Sequence, residues 1–170
     1  MEKSSSSETY LAKLWIFLQA TFLKLERISR NVSRGERITH FVFHNGDMDQ
    51  KNGRARYTAF IPSKKTRNIS VYRIGNCKEK RIWRLGDVFV APIRKLDVLA
   101  RADLQSDLAF DEGLSIVADP SPHPRHAVVT TWPEDKAQIR IKAMVLAQGS
   151  ALVLHPRSAI LEVQRKRIQK

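Results

Sequence analysis

Two histidines and an arginine, set just before a predicted strand, form the densest group of residues that could do chemistry. They lie in the segment His123-Pro124-Arg125-His126, and Trp132 and two acids follow at the far end of the strand. An imidazole at a strand edge can act as a general base, and a neighbouring guanidinium can hold a phosphate. The pattern therefore indicates His126 and Arg125 as candidate catalytic residues. The alternative is that His126 begins the strand with its ring half-buried.

A few other side chains are secondary candidates. Arg73 and Arg101 could hold a phosphate, and His40 could lie near His126 together with His44. Asp103 could be a catalytic carboxylate or the ion-pair partner of Arg101, although a solvated acidic face explains the same residues more simply.

Recognised catalytic motifs are missing from the sequence. It has no glycine-rich phosphate loop, nucleophile elbow, zinc-ligand spacing or His-Glu-x-x-His pattern. The single cysteine, Cys77, excludes an internal disulfide and a multi-cysteine metal site, and it fits a reducing cytosol. We therefore expect no metal and no cofactor, and the sequence leaves open whether the protein is an enzyme.

The charge of the chain is its largest compositional anomaly. The 170 residues carry a formal net charge of +13, with a sequence pI near 10.3. Such a charge at this size predicts attraction to polyanions, of which nucleic acid is the commonest and anionic lipid the next. The alternative is a soluble protein that is merely basic.

The positive charges are unevenly distributed along the chain. Residues 51–67 hold six lysines or arginines and no acid, whereas residues 97–119 hold six acids and only Arg101 as a cation. Cations interleaved with aromatic rings suit phosphates and unpaired bases, although tyrosines that cap a core beneath a solvated face would give the same pattern. The predicted nucleic-acid-binding residues are Arg54, Arg56, Tyr57, Lys64, Lys65, Arg67, Tyr72, Arg73, Lys80, Arg81, Arg84, Arg165, Lys166 and Arg167.

Hydrophobic periodicity predicts the elements that position these residues. Short strands are expected at residues 38–44, 54–61 and 69–74, forming an antiparallel meander with one face buried and one in water. A helix is expected at residues 79–90, although Gly86 weakens it. Residues 101–104 are expected at a turn, and residues 114–119 form another strand.

The clearest unit is a strand, a helix and a return strand between Asp119 and Pro156. The strands are residues 126–131 and 151–155, and the helix covers residues 134–148. Proline and acids in the first turn favour the helix, whereas the alternation in residues 138–143 fits a strand. The predicted fold class is α+β: a small, mostly antiparallel sheet packed by two helices, with an additional N-terminal amphipathic helix.

The chain is expected to contain one domain with extensions at both ends. Residues 1–9 are predicted to be disordered, 10–30 an amphipathic helix, 31–156 a single α+β domain and 157–170 a basic C-terminal tail. The apolar run 14–18 is too short to span a bilayer, and no cleavage site follows it, so a cytoplasmic location is expected. Residues 10–28 pack on the domain or a second copy, or alternatively lie on a membrane surface.

Together these observations favour a basic nucleic-acid-binding module, acting on RNA or DNA, such as a small subunit of a bacterial-type nucleoprotein assembly. The alternative is an enzyme that acts on a phosphate-containing substrate through His126 and Arg125. A further alternative is a membrane-surface or partner-docking protein that works through residues 10–28.

Overall fold

Alternating apolar residues form the strands, and the charged stretches between them form turns and short helices. The computed structural model describes residues 28–157. The predicted disordered segment 1–9, most of the predicted helix 10–30 and nearly all of the basic tail 157–170, including Arg165, Lys166 and Arg167, lie outside the described residues.

The described residues contain eight strands, four α-helices and several single helical turns. The strands are β1 Arg37–Val42, β2 Met48–Asp49, β3 Arg54–Ala55, β4 Ile69–Arg73, β5 Ala100–Gln105, β6 Ser115–Ala118, β7 His126–Thr130 and β8 Ala151–Leu154. The α-helices are α1 Glu79–Leu85, α2 Ala91–Arg94, α3 Asp107–Asp111 and α4 Lys136–Gln148. A π-helical turn, Gly86–Val90, joins α1 to α2, and 3₁₀ turns cover Asn45–Asp47, Gln50–Asn52 and Tyr57–Phe60.

Six of the strands form one antiparallel sheet in the order β6-β7-β4-β1-β5-β8. The short strands β2 and β3 pair with each other in a separate ribbon. Four antiparallel steps separate β7 from β8, so these two strands run in the same direction. Helix α4 therefore carries the chain across three intervening strands, and the fold class predicted from the sequence, α+β with an antiparallel sheet, is confirmed.

Both faces of the sheet are covered, which corrects the expectation of one wet face. Ile38, Val42 and Val71 point to the face where α4 and Phe60 pack. The alternate residues Phe41 and Tyr72 point to the opposite face, beneath α1 and the π-helical turn. The period-two pattern of a strand allows each neighbour to be buried in a different core.

Residues 54–61 do not form the predicted long strand. Only Arg54 and Ala55 pair in a strand, and Tyr57–Phe60 is a 3₁₀ turn. Tyr57 and Phe60 both pack against the core on the α4 side. Since residues three apart lie on the same side of a 3₁₀ turn, this spacing buries both rings where an extended chain would separate them.

The predicted turn at residues 101–104 is also wrong, because these residues lie in β5, between β1 and β8. Ala100, Ala102 and Leu104 are buried on the α4 side of the strand. Arg101 and Asp103 point to the other face, where they pair with each other at 3.0 Å. The two charged residues suggested an exposed turn in the sequence. They can be buried in a regular strand because each neutralises the other inside the protein.

Both predicted helices are present. In α4, the Asp135 carboxylate accepts a hydrogen bond from the Gln138 N–H at 2.9 Å, which caps the helix and excludes the alternative strand. The helix predicted at residues 79–90 is α1 with its π-helical continuation. Gly86 is required there by close packing, since a Cβ would lie 2.7 Å from the buried ring of Phe41.

A buried guanidinium connects α1 to the sheet. Arg101 donates to both carboxylate oxygens of Glu79, at 2.6 and 2.9 Å, and its Nε donates to Asp103 at 3.0 Å. The guanidinium also lies 4.6 Å from the centre of the Trp83 ring. Burial lowers the pKa of Arg101, but the hydrogen bonds to Glu79 and Asp103 outweigh burial and keep the pKa above its ordinary value.

We expect Arg101→Met to destabilise the protein strongly. The Asp103 side chain is only 9% exposed and would lose its closest cation inside the protein. Removal of one partner from a buried ion pair should lower the free energy of unfolding by about 3 kcal/mol or more. Urea unfolding followed by circular dichroism measures the change.

The matched control is Arg34→Met. Arg34 pairs with Asp111 at 2.7 Å, and both side chains are more than half exposed. This surface pair should contribute less than about 1 kcal/mol. Equal, small losses in the two variants would show that the Arg101 cluster does not stabilise the fold.

Candidate functional site

The catalytic candidates lie where the chain enters β7, Arg125 just before the strand and His126 as its first residue, and both side chains bond to backbone carbonyl oxygens. Arg125 Nη1 donates to the carbonyl oxygens of Arg73 and Gly75, at 2.8 and 3.2 Å. His126 Nδ1 donates to the Asp119 carbonyl at 2.8 Å, because that oxygen can only accept. His126 and Arg125 are 6% and 9% exposed. Their geometry attaches the loop to β4, and the catalytic hypothesis stays a prediction.

His40 does not join that group. The His126 ring lies 5.2 Å from Tyr72, on the α1 side of the sheet, whereas the His40 ring lies 5.6 Å from Phe60, on the α4 side. The sheet separates the two imidazoles. The positions of His40 and His126 in the sequence did not predict this separation, because they do not show which face of the sheet each strand residue occupies.

Two residues assigned to the basic surface are inside the protein. Tyr72 is 3% exposed and packs edge-on against Phe41, and burial raises the pKa of its hydroxyl. Arg73 is 6% exposed, and its guanidinium pairs with Glu36 at 2.7 Å. Neither side chain is on the surface that a polyanion would meet, because both complete the packing at one end of β4.

The remaining early cations are exposed and fall within one short stretch of the chain. We refer to residues 51–67 as the basic segment; its exposed cations are Lys51, Arg54, Arg56, Lys64, Lys65 and Arg67. Proline, glycine and small polar residues interrupt this stretch, which explains why it forms turns whose long cationic side chains extend into water.

The basic segment runs alongside α4. At the start of the helix, Arg67 donates to the carbonyl oxygen of Pro133 at 2.7 Å. Near the middle, the Arg140 guanidinium lies 4.9 Å from the Tyr57 ring centre. At the end, Arg54 lines a shallow depression together with Met144. The helix is about 20 Å long, so these contacts spread positive charge along its whole flank.

Arg140 is a functional candidate that the sequence reasoning missed. It lies on α4, more than eighty residues from Tyr57. A cation–aromatic pair across that separation leaves no local pattern. Only the packing of the Tyr57–Phe60 turn on α4 brings the two side chains together.

The cations of α1 belong to another part of the surface. Lys80 is exposed, and Arg81 and Arg84 are half-buried. They follow the C-terminal end of β4, whereas the basic segment precedes its N-terminal end. The structure therefore separates the predicted binding residues into two groups at opposite ends of one strand.

A cleft of about 220 Å³ opens beside the basic segment, between the end of β1 and the loop that precedes β4. His40 lines this cleft, and its Nδ1 donates to the Ser70 carbonyl at 2.8 Å. Burial lowers the pKa of His40, and the nearby Arg94 lowers it further, which favours the neutral ring.

Metal ligation receives no support within residues 28–157, where no group of three or more histidine, cysteine or acidic side chains could hold an ion. The Asp49 carboxylate accepts a hydrogen bond from the Asn52 side chain at 2.7 Å. That hydrogen bond lowers the pKa of the Asp49 carboxyl.

Membrane insertion through a helix receives no support from this part of the chain either: within residues 28–157, every helix is too short or too polar to cross a bilayer. Comparison with other proteins also gives no assignment. No protein-family model, no curated protein and no solved structure matches the chain.

We expect His40 to make the protein less stable in mild acid. The pKa of His40 is lower in the folded protein than its ordinary value of about 6.5, so the unfolded chain binds the proton more readily. The free energy of unfolding should decline as the pH falls below about 6.5, and His40→Gln should show a smaller decline. Urea titrations between about pH 7.5 and about pH 5 test this, and identical profiles would contradict it.

Proposed function

We propose that the protein is a nucleic-acid-binding module whose basic segment contacts the phosphate backbone. The observation that carries this proposal is the run of six exposed cations without an acid in residues 51–67. Their long side chains can approach phosphates without a change in the fold. Phosphate neutralisation with release of counterions supplies most of the affinity of such surfaces.

A contrast with two exposed arginines elsewhere on the molecule supports this surface. Arg34 pairs with Asp111, and Arg157 pairs with Asp87, each at 2.7 Å. In the basic segment, Arg67 faces Glu134 at the longer distance of 3.7 Å, and that glutamate is 95% exposed. Asp49 lies opposite Arg54 in the β2–β3 pair and compensates part of the charge at that end of the segment. The potential that attracts an anion is therefore expected mainly at the loop that carries Lys64, Lys65 and Arg67.

Tyr57 and Arg140 add a contact that a purely electrostatic surface would lack. The guanidinium plane next to the phenol ring can stack on a base or pair with a phosphate. This arrangement favours a single-stranded nucleic acid, because unpaired bases expose their flat faces to such side chains. An anionic lipid surface has no flat aromatic partner for them.

We expect binding of single-stranded DNA to weaken steeply with salt. The probe is a fluorescein-labelled oligothymidine of about 20 nucleotides, and anisotropy titrations between about 50 and about 200 mM salt give the slope. The double variant Lys64→Gln/Lys65→Gln should bind about tenfold more weakly at low salt, because about two phosphate contacts are lost. The salt slope should fall by about 1.4.

The charge-matched control is Lys78→Gln/Lys80→Gln. Both lysines are exposed and lie beyond the opposite end of β4. This variant should retain the affinity of the wild-type protein. An affinity that does not change with salt would overturn the proposed function, and equal losses in the two double variants would show that binding is not located at the basic segment.

A further inference from the structure

The cleft beside the basic segment has the size of a small aromatic ligand. Its walls come from the end of β1, the Tyr57–Phe60 turn, the loop of residues 61–68 and the chain after α2. A cavity of about 150 Å³ inside a protein is known to hold benzene, so a volume of about 220 Å³ accommodates a six-membered heterocyclic ring.

Part of the rim of the cleft is apolar and open to water, and polar residues, Arg94 and Asp47 among them, line the rest. Ile61 and Leu96 line it and are 42% and 43% exposed, and Phe43 contributes an aromatic ring. Exposed large apolar side chains around one concave site are typical of ligand-binding surfaces. These side chains can make apolar contact with an inserted ring.

The wall also carries polar groups that suit the edge of a base. Ser70 accepts the Nδ1 proton of His40, so the acceptor of the neutral imidazole is Nε2. Asn68 and Ser63 line the same cleft and can both donate and accept. Hydrogen-bonding groups placed beside apolar side chains give orientation and selectivity to a bound ring.

The cleft and the cations share one loop. Ser63 and Asn68 line the cleft, and the Ser63 N–H donates to the Asn68 carbonyl at 3.2 Å. The Arg67 N–H donates to the Ser63 carbonyl at 2.7 Å, which closes the turn. Lys64 and Lys65 lie between these closing residues and are exposed. The two lysines therefore extend from the same turn whose ends line the cleft.

We propose that this cleft receives one unstacked base of a single-stranded nucleic acid, while Lys64 and Lys65 hold the adjacent phosphates. The inference rests on the proposed function and adds to it a base-binding site. Extrusion of one base into a pocket is compatible with sequence-tolerant binding, since every base presents a flat aromatic face.

The test fills the cleft without removing a charge. Thr58 is exposed and lines the cleft, so Thr58→Trp should occupy the space of the base. Thr66→Trp is the matched control, because Thr66 is exposed in the same loop and is absent from the cleft wall. Both variants are first compared with the wild-type protein by urea unfolding.

Two probes separate base binding from phosphate binding. One is the oligothymidine used for the salt titration, and the other is an abasic oligonucleotide of equal length with the same phosphates. Thr58→Trp should weaken binding of oligothymidine about tenfold, the contribution of one stacked base. It should leave binding of the abasic strand unchanged, and Thr66→Trp should change neither.

Each other outcome overturns a defined part of the argument. Unchanged or tighter binding of oligothymidine by Thr58→Trp would overturn the base site while the salt-dependent interface stands. Equal weakening of both probes would also overturn it, since the effect would then lie in phosphate binding. If the wild-type protein binds abasic and oligothymidine strands equally, the cleft holds no base, whichever variants fold. Absence of salt-dependent binding by the wild-type protein would overturn the proposed function itself.

Discussion

A single positive charge beneath α1 determines much of how this molecule is assembled. The Arg101 side chain is 3% exposed, in a strand that lies between β1 and β8. A charge in that position requires partners, because the interior solvates ions poorly. Asp103 supplies one from the same strand, and Glu79 supplies the other from α1. The position of the helix over the sheet follows from this requirement as well as from apolar packing.

The same constraint distinguishes the buried arginines, which all have polar partners inside the protein, from the arginines exposed on the surface. Arg73, Arg101 and Arg125 are all 9% exposed or less, and each bonds to a carboxylate or to backbone carbonyl oxygens. They are structural cations at the interior of a strongly basic protein. The net charge of the chain therefore overstates the positive charge that a partner can reach. The basic segment contains no acid, and its six cations are all exposed. Only cations that the structure places on the surface can support a function in binding polyanions.

Secondary structure was predictable where one physical signal dominated. The helix at residues 136–148 has a capping acid before it and an alanine-rich interior. Strand β1 has an alternating pattern, and β7 is a continuous apolar run rich in β-branched residues. Predictions were wrong where side chains served two roles. In β5, charges occupied alternate positions and suggested a turn. In residues 54–61, aromatic residues suggested a strand, although a spacing of three buries Tyr57 and Phe60 together.

The amino-acid sequence alone determined the composition of the basic segment: a run of cations without acids, interrupted by residues that form turns. These are local properties, and neighbouring residues keep them in any fold. Only the tertiary structure decided that Tyr72 and Arg73 are internal, that His40 and His126 occupy opposite faces, and that Arg140 lies over Tyr57. Strand order and helix packing set those relations, and they depend on contacts between residues far apart in the chain. Local patterns in the sequence do not predict such long-range contacts.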